Sequence, residues 1–283
     1  MVGPLSLRTA WLALTLLSTW IGGAIAQPAP LRQLTEPLRE GGKATYADLV
    51  RLIVPGVVVN GERYRGGQAI DVRGIYRDMD GAKPESTEHL RVAAVPVRSS
   101  GRDRTVLLLD FGRGLFDVGF AILALFDAAG KPRLLDAANV ATGTSTFFLD
   151  PARLSVEAGN DVLMIQSSHF NSSQHYVNTV LVLARDDRLE LVDAISTYNE
   201  RSCAYELTQQ LGIQQRSGKP FADIAATVTE RTIPSGERCG DAAEPEARTR
   251  AISVIYRWDV AAQRYLPDSD AFDVLARENE KRF

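Results

Sequence analysis

The chain has 283 residues, of which 45% are hydrophobic and 24% are charged, and its formal net charge is −3. This composition is typical of a soluble globular protein. The weakly acidic balance offers no general attraction to nucleic acid or to an anionic membrane, so we expect neither as a partner.

The first 26 residues have the pattern of an export signal. Arg8 adds a positive charge near the amino terminus, residues 10–21 (AWLALTLLSTWI) form a charge-free apolar run, and residues 24–26 (AIA) form a small-x-small cleavage site. A membrane anchor needs about 20 apolar residues, and this run is shorter. We therefore expect a signal peptide over 1–26, a mature chain that begins at Gln27 without a transmembrane segment, and a periplasmic or extracellular location.

Beyond the predicted cleavage site, the chain is near the upper size for a single hydrophobic core, and it also suits two small domains. Residues 27–43 are rich in Pro, Gly and polar residues, which predicts a mobile arm. Residues 44–283 predict one β-rich domain. The polar run at 98–104 marks a possible division of that domain.

A short helix is predicted to begin after Thr45. Asp48 lies three residues later and can reach back to the free N–H groups of the first turn, as in a capping box. The Pro-Gly pair at 55–56 ends the helix. Its apolar face consists of Tyr46, Leu49, Val50 and Ile53.

The chain then changes to short runs with β-type alternation, separated by turn signals. Early candidate strands lie at 57–60, 69–76 and 90–97. Three groups of three strands follow, each with an Asp-containing turn between its last two strands, at 106–136, 162–196 and 227–266. Repeated meanders of this kind bury one face per unit. We therefore predict a mainly β fold of repeated antiparallel β-meanders, arranged as a sandwich or a propeller-like stack.

Two further helices are predicted in the second half of the chain. A short one lies at 204–211, and an amphipathic one lies at 269–282 with Ser269 as its cap. The apolar face of the second helix carries Phe272, Leu275 and Ala276.

The chain has two cysteines, Cys203 and Cys239. An even number of cysteines in an exported chain implies pairing, and closing a loop of about 35 residues stabilises a fold by roughly 3–4 kcal/mol. The alternative is a reactive thiol, but no C-x-x-C motif and no third cysteine is present. The sequence therefore predicts a disulfide.

Familiar catalytic signatures are absent from the sequence. It contains no G-x-S-x-G nucleophile elbow and no H-E-x-x-H zinc motif, and its glycines fit neither a phosphate-binding loop nor a dinucleotide-binding turn. We therefore predict no catalytic residue, no metal site and no cofactor.

One polar run stands out at 167–176 (SSHFNSSQHY), between two apolar strands, and it holds two of the three histidines. A metal site would need His169 and His175 to converge with a third ligand. Serine–histidine chemistry would need Ser167 or Ser168 to meet a histidine and an oriented acid. The simplest interpretation is a polar hairpin loop. The candidate ligand-binding residues are Ser168, His169, Asn171, His175 and Tyr176.

These observations favour a non-enzymatic, exported β-rich module that binds an envelope protein or a small ligand. The alternative is a hydrolase that acts on an envelope polymer or ester near His169 and His175, and a third possibility is a purely structural domain. A carboxylate within hydrogen-bond reach of either histidine, beside Ser167 or Ser168, would favour the hydrolase.

Overall fold

The computed structural model describes residues 31–60, 63–76, 83–84, 90–113, 119–157, 159–236, 239 and 245–282. The predicted signal peptide at 1–26 and residues 27–30 of the predicted arm lie outside these ranges. Within them the fold is mainly β, with antiparallel sheets of meander type, as predicted. The helices are α1 (Tyr46–Ile53) and α2 (Ala271–Glu280). The strands are β1 (Val58–Asn60), β2 (Arg63–Arg65), β3 (Arg73–Gly74), β4 (Arg91–Ser99), β5 (Arg102–Arg113), β6 (Gly119–Asp127), β7 (Arg133–Asn139), β8 (Ser145–Ser155), β9 (Asp161–Asn171), β10 (Gln174–Arg185), β11 (Arg188–Arg201), β12 (Tyr205–Arg216), β13 (Asp223–Pro234), β14 (Arg248–Asp259) and β15 (Arg264–Pro267).

The first sheet has five strands in the order β3-β7-β6-β5-β4, and β1 pairs separately with β2. Alternate residues of a strand point to opposite faces, and both faces of β5 are buried. Val106 and Leu108 belong to one core, whereas Leu107 and Leu109 belong to another. The first sheet therefore lies between two hydrophobic layers.

Helix α1 covers one face of the first sheet and confirms the predicted short helix. The backbone N–H of Thr45 donates to Asp48 Oδ2 at 2.8 Å, as the capping pattern predicts. Leu49, Val50 and Ile53 are fully buried against the sheet. Local capping and an apolar face therefore agree with the tertiary packing at this point.

Part of the segment for which a mobile arm is predicted packs on the same sheet. Leu34 is 1% exposed and lies in the core beside α1. The N–H of Arg32 donates to the carbonyl of Val92 at 2.8 Å, and Leu31 forms an isolated bridge with Ala93. Burial of Leu34 thus holds residues 31–34 against the first sheet, although the composition of the segment is typical of a mobile terminus.

The second sheet has eight strands, which follow one another from β8 to β15 in chain order. One of its faces packs against the first sheet. The shared core joins Leu108 and Leu123 of the first sheet to Leu163, Ile165 and Val180 of the second. This face-to-face packing is a β-sandwich arrangement, one of the two alternatives that the sequence predicts.

The hairpin between β4 and β5 contains the polar run 98–104 at which the sequence suggests a division. Arg104 is 8% exposed and donates to both carboxylate oxygens of Asp187, in the turn between β10 and β11 of the second sheet, at 2.8 and 3.1 Å. The hydrogen bonds from Arg104 also lower the pKa of Asp187. The polar run therefore ties the two sheets together.

A third core lies between strands of the second sheet and helix α2. Phe272 and Leu275 of α2 are buried in it, as the predicted amphipathic helix requires. The N-cap is Asp270, one residue beyond the predicted cap Ser269. Neither helix in the described part of the chain is long and apolar enough to span a membrane.

The helix predicted at 204–211 is wrong, because this segment forms strand β12. The strand pairs with β13 along its whole length, from Tyr205↔Pro234 to Arg216↔Asp223. Leu211 and Ile213 contact the third core at the two-residue spacing of a strand. In the continuous ladder with β13, every second residue of β12 has both its N–H and its C=O hydrogen-bonded. This pairing with a distant strand outweighs the local sequence pattern that predicts a helix.

The predicted disulfide is confirmed. Cys203 lies in the turn between β11 and β12, and its sulfur is bonded to that of Cys239, which follows β13. The crosslink therefore fixes the β11–β12 turn to the chain beyond the next strand.

Candidate functional site

The polar run at 167–176 is a tight hairpin rather than a loop. The pairing of β9 with β10 continues up to Asn171↔Gln174, so Ser172 and Ser173 alone form the turn. Ser172 has a φ of 51°, a left-handed conformation that short hairpin turns require. The strands extend beyond the apolar core because the ladder satisfies their backbone groups even where the side chains are polar.

The two histidines of this hairpin lie on opposite faces of the sheet. His169 is paired with Tyr176, whereas Phe170 is paired with His175. Directly paired residues share a face, and neighbours along a strand do not. His169 and His175 therefore do not converge, as a metal site that uses both histidines would require.

The face with His169 and Tyr176 carries a small cavity of about 220 Å³. The Tyr176 ring lies 5.2 Å from that of Tyr198. Ser167 also lines this cavity, but its Oγ lies 3.0 Å from Thr146 Oγ1 and accepts a hydrogen bond from the N–H of Thr142 at 3.2 Å. Ser167 is 1% exposed, so its hydroxyl has a structural role.

The opposite face carries His175 and a larger open cleft of about 630 Å³. Ser168 is on this face as well, since it pairs with Val177, and Asn171 lies exposed at the turn. Six consecutive strands, β8 to β13, contribute to the lining of the cleft, and none of the described lining residues is charged. Its hydrogen-bonding side chains include Gln166, His175, Thr179, Thr197, Asn199 and Thr229.

His175 is held at the end of the cleft by an aromatic stack. Its ring lies 3.7 Å from that of Phe170, with an angle of 8° between the planes. Within the described part of the chain, the buried Nε2 atom of His175 has no hydrogen-bond partner. Burial lowers the pKa of His175, because the imidazolium form would leave an N–H donor without water or an acceptor. At neutral pH the imidazole of His175 is therefore uncharged.

The cleft borders the place where β11 and β12 separate. These two strands pair only at Glu200↔Leu207 and Arg201↔Glu206. Beyond these pairs, side-chain amides replace the ladder. Gln209 Oε1 accepts from the N–H of Tyr198, and Asn199 Oδ1 accepts from the N–H of Gln209, each at 2.8 Å.

A buried polar network holds this separation in place. Gln209 Nε2 donates to Glu230 at 2.8 Å and to Asn279 of α2 at 2.9 Å. Arg250 donates to Glu230 at 2.7 Å. Although burial raises the pKa of Glu230, its hydrogen bonds from Arg250 and Gln209 bring the net pKa below the usual value. All three of Gln209, Glu230 and Asn279 are about 5% exposed or less.

His175 is among the residues that the sequence offers as candidates, whereas Gln209, Asn199 and Asn279 are not. Glutamine in a polar strand is typical of an exposed position, and Asn279 lies 70 residues from Gln209 along the chain. No motif joins residues so far apart, so no local signal was available.

Within the described ranges, no hydrogen bond joins His169 or His175 to a carboxylate. In the same ranges, no group of three His, Cys, Asp or Glu residues could hold a metal ion. The neutral donors and acceptors around the cleft can form hydrogen bonds with an uncharged ligand.

Comparison of the chain with protein-family models, curated proteins and solved structures finds no match.

Proposed function

We propose that this protein is an exported binding module of the cell envelope and that the cleft beside His175 holds a small, uncharged polar ligand. The observation that carries the proposal is a cleft of about 630 Å³ whose described lining contains hydroxyl, amide and imidazole groups but no charge. Small-molecule sites have volumes of roughly 300–1,000 Å³ and use a few placed polar groups for specificity.

The lining chemistry favours an uncharged ligand. A charged group that enters such a cleft loses water and finds no counter-ion, which is costly. Side-chain amides, by contrast, each offer a donor and an acceptor, and threonine hydroxyls offer both. Gln166, Asn199 and the exposed Thr229 can therefore satisfy hydroxyl or amide groups of a neutral ligand.

Two independent features support an exported location. The pattern at 1–26 is that of a signal peptide. The disulfide between Cys203 and Cys239 is typical of an oxidising compartment. Cell fractionation distinguishes the periplasm from the cell exterior. N-terminal sequencing of the exported protein should find Gln27 as the first residue.

The alternative function, a hydrolase with chemistry near His169 and His175, has less support. The Ser167 hydroxyl is engaged with Thr142 and Thr146. Ser168 shares the face of His175, but within the described ranges no hydrogen bond joins His175 to a carboxylate. A nucleophile, its base and an orienting acid would have to share one face.

Filling the cleft tests the proposal. Gly212 lines it, and a side chain there would have the carbonyl oxygen of Thr227 as its nearest neighbour, at 3.9 Å from Cβ. Gly212→Trp therefore blocks the cleft without a backbone clash. Gly130→Trp is the matched control, because Gly130 lies in the β6–β7 turn with nothing within 4 Å of its Cβ position.

The probes are maltotriose, uridine and a pool of capped, uncharged heptapeptides, each added to a thermal denaturation. A ligand at about 100 times its Kd stabilises a protein by about 2.7 kcal/mol. We expect at least one probe to raise the unfolding temperature of the wild type and of Gly130→Trp but not of Gly212→Trp. An absence of any shift, or an equal shift in all three proteins, would overturn the proposal.

A further inference from the structure

Strand β12 presents an open edge beside the cleft. It is bonded to β13 throughout, but its pairing with β11 ends at Leu207. No other strand in the described ranges is hydrogen-bonded to this side of β12. Residues 209–212 of the same strand line the cleft. An unpaired strand edge and a cleft therefore adjoin one another.

The direction of the backbone groups on this edge follows from one hydrogen bond. The N–H of Gln209 donates to the side chain of Asn199, on the β11 side, and so does not serve the β13 ladder. In a regular antiparallel pair, every second residue directs both N–H and C=O away from its partner. The pairing of β12 with β13 has no register shift, so Leu211, Ile213 and Gln215 direct their backbone groups to the open edge.

The edge lacks the usual protection against pairing. Exposed edges generally carry charges, proline or a bulge that prevents another strand from adding to them. Residues 208–215 (TQQLGIQQ) contain no charged residue and no proline, and the pairing with β13 contains no bulge. Gly212 has no side chain and is exposed, which leaves room for a second backbone.

We infer, building on the proposed function, that the ligand is an extended peptide segment with uncharged side chains, which adds to β12 as a new strand. Such a segment offers alternating N–H and C=O groups that match those of Leu211 and Ile213. Its alternate side chains then lie over the cleft, where Thr and Gln side chains can form hydrogen bonds with them. A peptide satisfies the edge and the cleft together.

Hydrogen exchange tests the inference directly on the wild-type protein. The probe is the pool of capped heptapeptides built from Ser, Thr, Asn, Gln, Val and Gly. In the free protein we expect the amides of Leu211 and Ile213 to exchange faster than those of Gln210 and Gly212, which serve the β13 ladder. Addition of the pool should slow exchange at Leu211 and Ile213. A pool of the same peptides with alternate backbone nitrogens methylated should not slow this exchange, because along one edge these peptides lack the N–H groups that would donate to β12.

A proline on the open edge provides the variant test. Ile213→Pro removes the N–H that faces the edge and leaves the β12–β13 ladder bonds in place, as edge prolines do. Ile213→Ala is the matched control, since it removes the side chain but keeps the N–H. We expect Ile213→Pro to weaken peptide binding about tenfold relative to Ile213→Ala. Equal peptide affinities of Ile213→Pro and Ile213→Ala would overturn the inference. If Ile213→Pro does not fold, the comparison of the methylated with the unmethylated peptides decides the inference.

Two outcomes separate this inference from the proposed function. In the first outcome, maltotriose or uridine binds to the wild type but not to Gly212→Trp, and the peptide pool does not slow exchange at Leu211 and Ile213. The inference then falls, and the proposed function stands. In the second outcome, sedimentation shows that the free protein is a dimer, and hydrogen exchange shows that the amides of Leu211 and Ile213 are already protected in it. The edge then pairs with a second copy of this chain, and the inference falls as well.

Discussion

The β9–β10 and β11–β12 hairpins differ in how far their strands stay together. Strands β9 and β10 pair from Asn171↔Gln174 at the turn to Asp161↔Ala184 at the far end. Strands β11 and β12 separate after two pairs. Both hairpins have tight turns and belong to the same sheet, so turn chemistry does not account for the difference.

Burial of the two faces does account for it. In β9–β10, Ile165 and Val180 face the first sheet, while Met164 and Leu181 face the third core, so separation would expose apolar surface on both sides. The corresponding part of β12 begins with the pair Gln209 and Gln210, of which Gln209 is buried. The buried amide of Gln209 replaces the lost ladder bonds. Apolar faces hold a hairpin closed, whereas a buried amide network permits a gap with an open edge.

Removal of the disulfide should affect the β11–β12 hairpin most. We expect Cys203→Ser combined with Cys239→Ser to lower the free energy of unfolding by about 4 kcal/mol, because the sequence separation of the crosslink is 36 residues. Urea denaturation measures the loss. Hydrogen exchange should accelerate more at Leu207 than at Val180, whose exchange reports the global loss and serves as the internal control. A loss below about 1 kcal/mol would show that the hairpin does not depend on the crosslink.

Two adjacent glutamines test the buried amide network. Gln209→Met removes the acceptor of the Tyr198 N–H and takes away one hydrogen bond each from Glu230 and Asn279, so we expect the free energy of unfolding to fall by about 2–3 kcal/mol. The exposed neighbour provides the control, and Gln210→Met should change stability by no more than about 0.5 kcal/mol. Chemical denaturation of both variants gives the comparison. Equal effects would mean that the network does not hold β11 and β12 apart.

The end of the β9–β10 hairpin should respond to acid. An unfolded histidine has a pKa of about 6.5, and burial keeps the pKa of His175 lower in the folded protein. Between these two values the unfolded chain binds more protons, so stability falls as the pH drops below about 6.5. We expect His175→Phe to reduce this fall between about pH 7 and pH 5.

An NMR titration of the histidines measures the same effect at the residue. The Phe170→Ala variant opens the His175 ring to water, so the pKa of His175 should rise toward its usual value. The exposed His169 lies on the other face, and His169→Ala should leave the His175 titration unchanged. A His175 pKa that does not move in Phe170→Ala would show that the aromatic stack is not the cause of the shift.

The candidate site was predictable only as a stretch of chain. The cluster of polar side chains at 167–176 lies at one end of the cleft, and His175 lines it. The assignment of side chains to faces required the strand register, which places His169 and His175 apart. Gln209 and Asn199 lie on other strands, and no spacing in the sequence connects them with His175.

The sequence by itself determined the features that depend on neighbouring residues or on composition. Strand alternation predicted the β fold, the Thr45–Asp48 pair predicted the start of α1, and two cysteines predicted the disulfide. Tertiary structure alone decided that β12 is a strand, that Leu34 is buried, and that β11 and β12 separate. Each of these depends on partners distant in the chain, such as Asn279 against Gln209. Local propensity is weak compared with the free energy of satisfying buried polar groups and covering apolar ones.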